Sequence, residues 1–314
     1  MKPLYYRSLT AALLALFIGG CAPSEKEMDP APTAQKGVSD LTYSKYNNLP
    51  EPLVDVTALY LGLNTGGTAA GNDLFGLGRS QISGGHKIYS HRQGRVSNTS
   101  GIVAWAPYDF GPWTQISGPN GGGAVKLAVK GFTLYAVTSS NELWTTDNPY
   151  GGSGWVRLPF QAVDIATNNF YVYFLGAASL YGGHPIYRLD GTTAVEVSPG
   201  AAGITLAVDG FDRPWVTTSA EEIWVGPYPW GPAGGFTRVP GVAVDIASNG
   251  STVAVLGSAS GFGTTGYSIW KRNTNVPSNE WAWTAEGGEA VQIGSNGQGD
   301  YFVVSSLGEL FKGL

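Results

Sequence analysis

Three aspartates occupy the same position of a recurring phrase. Leu-Pro-Glu-Pro-Leu-Val-Asp-Val runs over 49–56, Leu-Pro-Phe-Gln-Ala-Val-Asp-Ile over 158–165 and Val-Pro-Gly-Val-Ala-Val-Asp-Ile over 239–246. Carboxylates repeated in this way at Asp55, Asp164 and Asp245 have two chemistries open to them. Brought together, they offer hard oxygen ligands to a cation such as Ca2+, which takes several oxygens at about 2.3–2.6 Å. Held apart, each accepts backbone N–H bonds, as buried polar groups do. The second role is the expected one: no metal or other cofactor is expected, and structural Ca2+ at the three aspartates is the minor alternative. Catalytic patterns are missing. His86, His91 and His184 are scattered and lack a ligand spacing such as His-Glu-x-x-His. Gly257-Ser258-Ala259-Ser260-Gly261 carries Ala where a Gly-x-Ser-x-Gly nucleophile would stand. There is no phosphate loop and no dinucleotide fingerprint.

A second set of residues suits ligand stacking. Pro-Tyr occurs at 107–108, 149–150 and 227–228, the last followed by Pro229-Trp230. Exposed Tyr and Trp present a flat apolar face with a polar edge, which matches a sugar ring. Tyr108, Tyr150, Tyr228 and Trp230 are therefore the carbohydrate-binding candidates. Trp144, Trp155, Trp224, Trp270 and Trp283 lie in apolar strand patterns and are expected to pack between repeats.

The elements that position these residues follow from the repeat, which governs the fold. Weaker relatives of the phrase sit between and after its copies, at Val125-Lys126-Leu127, Ile204-Thr205-Leu206 and Val291-Gln292-Ile293. An aliphatic-aromatic pair follows each: Ile88-Tyr89, Leu143-Trp144, Ile186-Tyr187, Ile223-Trp224, Ile269-Trp270 and Leu310-Phe311. From inner marker to aromatic, the even units span 18 or 19 residues and the odd units 23 to 34. The chain is thus three copies of a two-unit block. Each unit shows short β-branched and aromatic runs bounded by Gly, Asn and Asp, the pattern of strands and turns. Four strands per unit at a period of about 40 residues predict an all-β, six-bladed β-propeller of four-stranded blades. The last unit stops after its third strand, and residues 41–49 lead into the first phrase as a fourth strand would. That segment is expected to complete the last blade and close the ring, which removes open sheet edges. An insertion between Tyr89 and Val125 predicts an extra hairpin near Ile102–Pro107. Long Gly-rich loops at Gly62–His86, Gly176–Pro185 and Gly257–Ser268 are expected to join second to third strands on one face, where binding usually resides.

The ends carry a different signal. Residues 1–20 combine a charged start, Lys2 and Arg7, with an apolar run from Leu9 to Ile18 too short to span a bilayer. The run ends Ile18-Gly19-Gly20-Cys21, which resembles a bacterial lipobox and marks Cys21 for lipidation. Residues 21–40 are polar and Pro-containing, the composition of a disordered tether; the propeller is assigned to 41–314. Ala22 after the cysteine favours the outer membrane, with the leaflet unspecified. The expected location is therefore the bacterial cell envelope, through a lipid anchor. Without Lys2 and Arg7, 16 basic residues face 23 acidic ones, a net charge of −7. That excludes nucleic acid as the natural partner.

Phe236-Thr237-Arg238-Val239-Pro240-Gly241, then Asp245-Ile246-Ala247-Ser248-Asn249-Gly250, then Ile269-Trp270 follow the order of the tectonin repeat: Trp-x-x-Val-Pro-Gly, an inner Ile-(Ala/Ser) strand, an Asn/Asp-Gly turn and an Ile-Tyr/Trp strand. Residues 41–314 resemble the tectonin family on this basis. The resemblance implies carbohydrate recognition without catalysis, with a glycan as partner. Other members are protein-interaction scaffolds, so an envelope protein is the alternative partner. A weaker resemblance to the sialidase Asp-box, Thr145-Thr146-Asp147 before Gly154-Trp155, has three extra residues and makes a glycoside hydrolase the least favoured reading.

Overall fold

The computed structural model describes residues 43–60, 72–97, 103–110, 112–168, 170–197, 201–227, 235–258, 266–274, 282–297 and 299–313. Within them the chain is all-β, with a single 3-10 turn at Pro119–Gly121. The strands are β1 (Tyr43–Lys45), β2 (Leu53–Tyr60), β3 (Asn72–Ile82), β4 (Gly85–His91), β5 (Gln93–Ser97), β6 (Val103–Phe110) and β7 (Thr114–Ile116). They continue with β8 (Lys126–Lys130), β9 (Thr133–Val137), β10 (Glu142–Thr146), β11 (Val156–Thr167), β12 (Val172–Gly176), β13 (His184–Asp190), β14 (Thr193–Glu196) and β15 (Ala202–Gly203). Next come β16 (Thr205–Val208), β17 (Pro214–Thr217), β18 (Glu222–Val225), β19 (Thr237–Val242), β20 (Asp245–Ser248), β21 (Thr252–Leu256), β22 (Tyr267–Asn273) and β23 (Thr284–Ala290). The last three are β24 (Gln292–Ser295), β25 (Tyr301–Val304) and β26 (Leu310–Gly313).

The strands pair as antiparallel meanders: β2-β3-β4-β7, β16-β17-β18-β19, β20-β21-β22-β23 and β24-β25-β26-β1. The long β11 belongs to two meanders, following β8-β9-β10 with its first half and leading β12-β13-β14 with its second. The first strands pack side by side: β2 lies against β8 and β24, β11 against β8 and β16, and β20 against β16 and β24. Sheets arrayed about their first strands in this way have the architecture of a β-propeller. The extra hairpin expected near 102–107 is present as β5 and β6 in their own two-stranded sheet.

Residues 41–49 form strand in part: β1 pairs antiparallel with β26, Tyr43 opposite Gly313. The Tyr46 N–H donates to the Leu310 carbonyl at 2.8 Å, and its buried side chain packs with Phe302 and Leu310. The aliphatic member of every third-strand marker, from Ile88 to Leu310, is buried. Its aromatic partner turns to a neighbouring sheet or to its own strand; Trp144 and Trp224 each donate to the glutamate two residues earlier at 3.2 Å.

The recurring phrase works as a clasp in two directions. Its fifth residue donates its N–H backward, to the turn that joins second and third strands of the preceding meander. These bonds are Leu53 to Gly308, Ala162 to Asn141 and Ala243 to Glu221, at 2.8–2.9 Å. The accepting residues have φ of 80°, 61° and 61°, the left-handed turn that aims the carbonyl outward. Its seventh residue, the aspartate, reaches forward.

One loop differs from expectation. Within Gly62–His86, residues 72–82 are strand β3, and the connection to β4 is a tight turn at Ser83-Gly84. The long segment lies instead between first and second strands, at 61–71, outside the described residues. The glycines of β3 serve close packing: a Cβ on Gly76 would meet Leu53 at 3.1 Å, and one on Gly78 would meet the Tyr89 ring at 2.7 Å.

Candidate functional site

The three aspartates line a channel between the first strands, together with Lys126, Leu206, Gln292 and Ile293. Each is buried. One carboxylate oxygen accepts the N–H of the next residue: Val56, Ile165 and Ile246, all at 2.9 Å. The second binds the first strand of the following meander. Leu206 donates to Asp164 at 2.9 Å, Ile293 to Asp245 at 3.0 Å, and Leu127 to Asp55. Hydrogen bonds to a charged acceptor contribute about 1.5–3 kcal/mol each. Each carboxylate thus accepts backbone N–H bonds from two strands. Each of the three carboxylates joins the first strand of an odd unit to that of the following even unit.

Lys126 stands at the aspartate register of an even unit, where Thr205 and Gln292 stand in the others. Burial pushes all three carboxyls up, Asp245 to about 7, while the Lys126 ammonium pulls each one down. Burial also disfavours the ammonium, but attraction from Asp55, Asp164 and Asp245 more than offsets it and holds Lys126 above the ordinary lysine range. The lysine thus supplies from within the chain the positive charge that a metal would bring. Among the described residues no cluster of three or more His, Cys, Asp or Glu side chains is arranged to hold a metal ion.

The Pro-Tyr set is placed unevenly. Tyr150 is half-buried: its ring packs on Phe75 at 5.8 Å between centroids, its hydroxyl donates to Asp73, and the Arg92 guanidinium lies 3.9 Å from its ring centre. Its faces and polar edge are engaged within the protein. Tyr108 lies on β6, and its side chain is outside the described residues, as are Tyr228, Trp230 and Cys21. The strand tryptophans pack as expected. Trp155, Trp224, Trp270 and Trp283 flank buried clusters, and Trp144 is buried.

A different aromatic set emerges at the turns joining first to second strands. Phe132 between β8 and β9 is 63% exposed, Phe170 between β11 and β12 is 66% exposed, and Phe211 between β16 and β17 is 44% exposed. These are consecutive meanders, and their hairpin ends are tied together. Thr167 Oγ1 donates to the Val129 carbonyl at 2.7 Å, and Asn168 Nδ2 to the Asp209 carbonyl at 3.0 Å. The belt continues through Gly210 to Gly250 and Asn249 to Gly299. In those later turns, Asn249-Gly250-Ser251 and Asn296-Gly297-Gln298-Gly299, no aromatic stands. The face is therefore aromatic over one arc and polar over another. A turn signal looks for Gly, Asn and Asp, so the arc was missed. The readable sign was a Phe beside them in three successive turns: Gly131-Phe132, Asn169-Phe170-Tyr171 and Gly210-Phe211.

No protein-family model matches the chain, and no curated protein matches it. Among solved structures it is similar to YCF48 bound to a D1 peptide, at 11% identity, covering 91% of this chain and 97% of that chain, with a TM-score of 0.47. It is similar to YCF48 from Cyanidioschyzon merolae at 14% identity, covering 86% and 98%, with a TM-score of 0.48. A nidogen/laminin complex follows at 11% identity, 69% and 81% coverage and a TM-score of 0.47. Likeness at this level carries no argument about function.

Proposed function

We propose that residues 41–314 form a six-bladed propeller of the tectonin type, closed by β1, that binds glycan without catalysis. The observation that carries this reading is the set of outward Phe rings on three tied turns of a rigid scaffold. Covering large apolar rings that stand in water is favourable, and flat rings among polar turns suit sugar faces. The buried carboxylates of the channel support the non-catalytic reading, because each is engaged in backbone bonds across two strands. In this reading Cys21 is acylated and residues 21–40 tether the propeller to the envelope, so that many copies gain avidity from weak sites.

The test is a glycan array probed with the purified chain. Binding to bacterial surface glycans is the expected result; absence of binding across the array refutes the lectin reading. A protein partner is the second reading. Tyr181, 82% exposed between β12 and β13, and Leu307, 68% exposed between β25 and β26, favour it on the other face. Cys21→Ser should abolish the acyl mass addition and release the protein from membranes.

A further inference from the structure

Resting on the glycan reading, we propose that the arc of Phe132, Phe170 and Phe211 is one extended subsite array for an uncharged oligosaccharide, which it contacts across three consecutive hairpins. Continuity comes from the hydrogen bonds between the turns, which hold the rings on one belt. Extension follows from the number of platforms: three rings on successive units offer one stacking face each, so several sugar units are needed to use them.

The neutrality of the ligand follows from how the charges beside the rings are used. Asp209 is fully buried and binds Arg213 through an ion pair at 2.7 Å, the Trp215 indole at 2.9 Å and the N–H groups of Phe211 and Arg213. Asp212 accepts from the Tyr173 hydroxyl at 2.9 Å, and Asp147 from Thr133 Oγ1 at 2.6 Å. The Arg213 guanidinium lies 5.1 Å from the Phe211 ring centre and donates on to the Thr274 carbonyl. Arg188 lies 5.0 Å from the Tyr171 ring centre. With Arg272, which interacts with both Arg213 and Asp209 and lies 5.2 Å from the Trp215 ring centre, three guanidiniums meet three carboxylates here and leave no single-sign field to attract a charged ligand.

A glycan rather than a protein is favoured by the form of the surface. Each ring is flanked in its own turn by a glycine or asparagine, Gly131, Asn168 or Gly210, and the turns are held by polar bonds through Thr167, Asn168 and Asp209, a surface more polar than the broad apolar patch that protein docking uses.

The experiment is calorimetric titration of the purified chain with cello-, manno- and chito-oligosaccharides of one to six units. Carboxylated oligogalacturonate and a Phe-rich peptide serve as comparisons. The expected result is affinity for at least one neutral series that rises about tenfold or more from two to six units and is unchanged between 50 and 500 mM salt. Phe132→Ala, Phe170→Ala and Phe211→Ala should each lower hexamer affinity about threefold to tenfold with unchanged melting. Three outcomes overturn the proposal: affinity independent of length, preference for oligogalacturonate that salt abolishes, or peptide binding in place of sugar. Binding on the array that survives the triple Phe→Ala change removes this site while leaving the glycan function standing. Absence of any sugar binding removes both.

Discussion

Replacing Lys126 with Met isolates the charge balance of the channel. Three buried carboxylates face one ammonium, with His86 also near Asp55. Removing one partner of a buried ionic group costs about 3–5 kcal/mol, because the remaining charge is left uncompensated. The cost must depend on pH. Asp245 titrates near 7 in the folded chain, against 3.8 for an unperturbed aspartate. A carboxyl raised on folding makes the native state bind more protons than the unfolded state between these values. Its contribution is therefore fully present below about pH 4 and lost as pH rises through 7. Met at 126 removes the attraction that holds all three carboxyls down, so they titrate still higher. Without the ammonium the variant must take up protons on these carboxyls or bury them charged and unpaired; proton uptake is easier at low pH, so the cost grows as pH rises. Urea unfolding followed by tryptophan fluorescence should show a loss of about 3–5 kcal/mol at pH 8 and under about 2 kcal/mol at pH 5. Equal losses at the two pH values would refute the electrostatic account and leave Lys126 as a packing residue.

Other changes probe the clasps. Glu221→Gly should stabilise the chain by about 0.5–1 kcal/mol in the same assay, since Glu221 holds φ at 61° and glycine adopts that conformation freely. Gly308→Ala should destabilise by more than 1 kcal/mol on the same scale: φ is 80° there and the new Cβ would meet the Leu53 nitrogen at 2.9 Å. Tyr46→Ala should cost about 3–5 kcal/mol if the N-terminal segment is integral to the last sheet; a cost below 1 kcal/mol would count against closure by β1. Asp209→Ala should lower the melting temperature by several degrees, since it removes the acceptor shared by Arg213, Trp215 and two backbone amides and leaves a cation facing an apolar site.

The meanders were legible because the sequence repeats itself, and a comparison of like positions finds whatever recurs. The same comparison passes over whatever occurs once. Lys126 was visible as a weak relative of the phrase, but nothing in its spacing said that its ammonium would face three aspartates from other strands. Tyr150 matched Tyr228 in its Pro-Tyr setting, yet Phe75 and Asp73, nearly eighty residues away, decide that its ring is engaged. The stretch 72–82 looked like a Gly-rich loop because glycine opposes strand formation locally. In the folded chain Gly76 and Gly78 are where Leu53, Trp113 and Tyr89 approach the backbone, so a long-range contact reverses the local preference.

A repeat scaffold also sorts its own residues by function. What folding requires of every unit recurs with the period of the units, and what it requires of every pair recurs with the pair. The buried aliphatic of the third strand follows the first rule; the aspartate clasp and the backward N–H bond follow the second. Residues that obey neither need a separate cause. Lys126 has one, because all three inward carboxylates attract its ammonium. Phe132, Phe170 and Phe211 do not. They fall in units two, three and four, which breaks both periods, and all three are exposed, Phe132 and Phe170 over most of their surface. Phe211 has one cation–π contact in the scaffold, the Arg213 guanidinium 5.1 Å from its ring centre; the buried core of the meanders does not include any of the three. The break in periodicity is therefore what the proposed ligand site rests on, independent of which ligand it is.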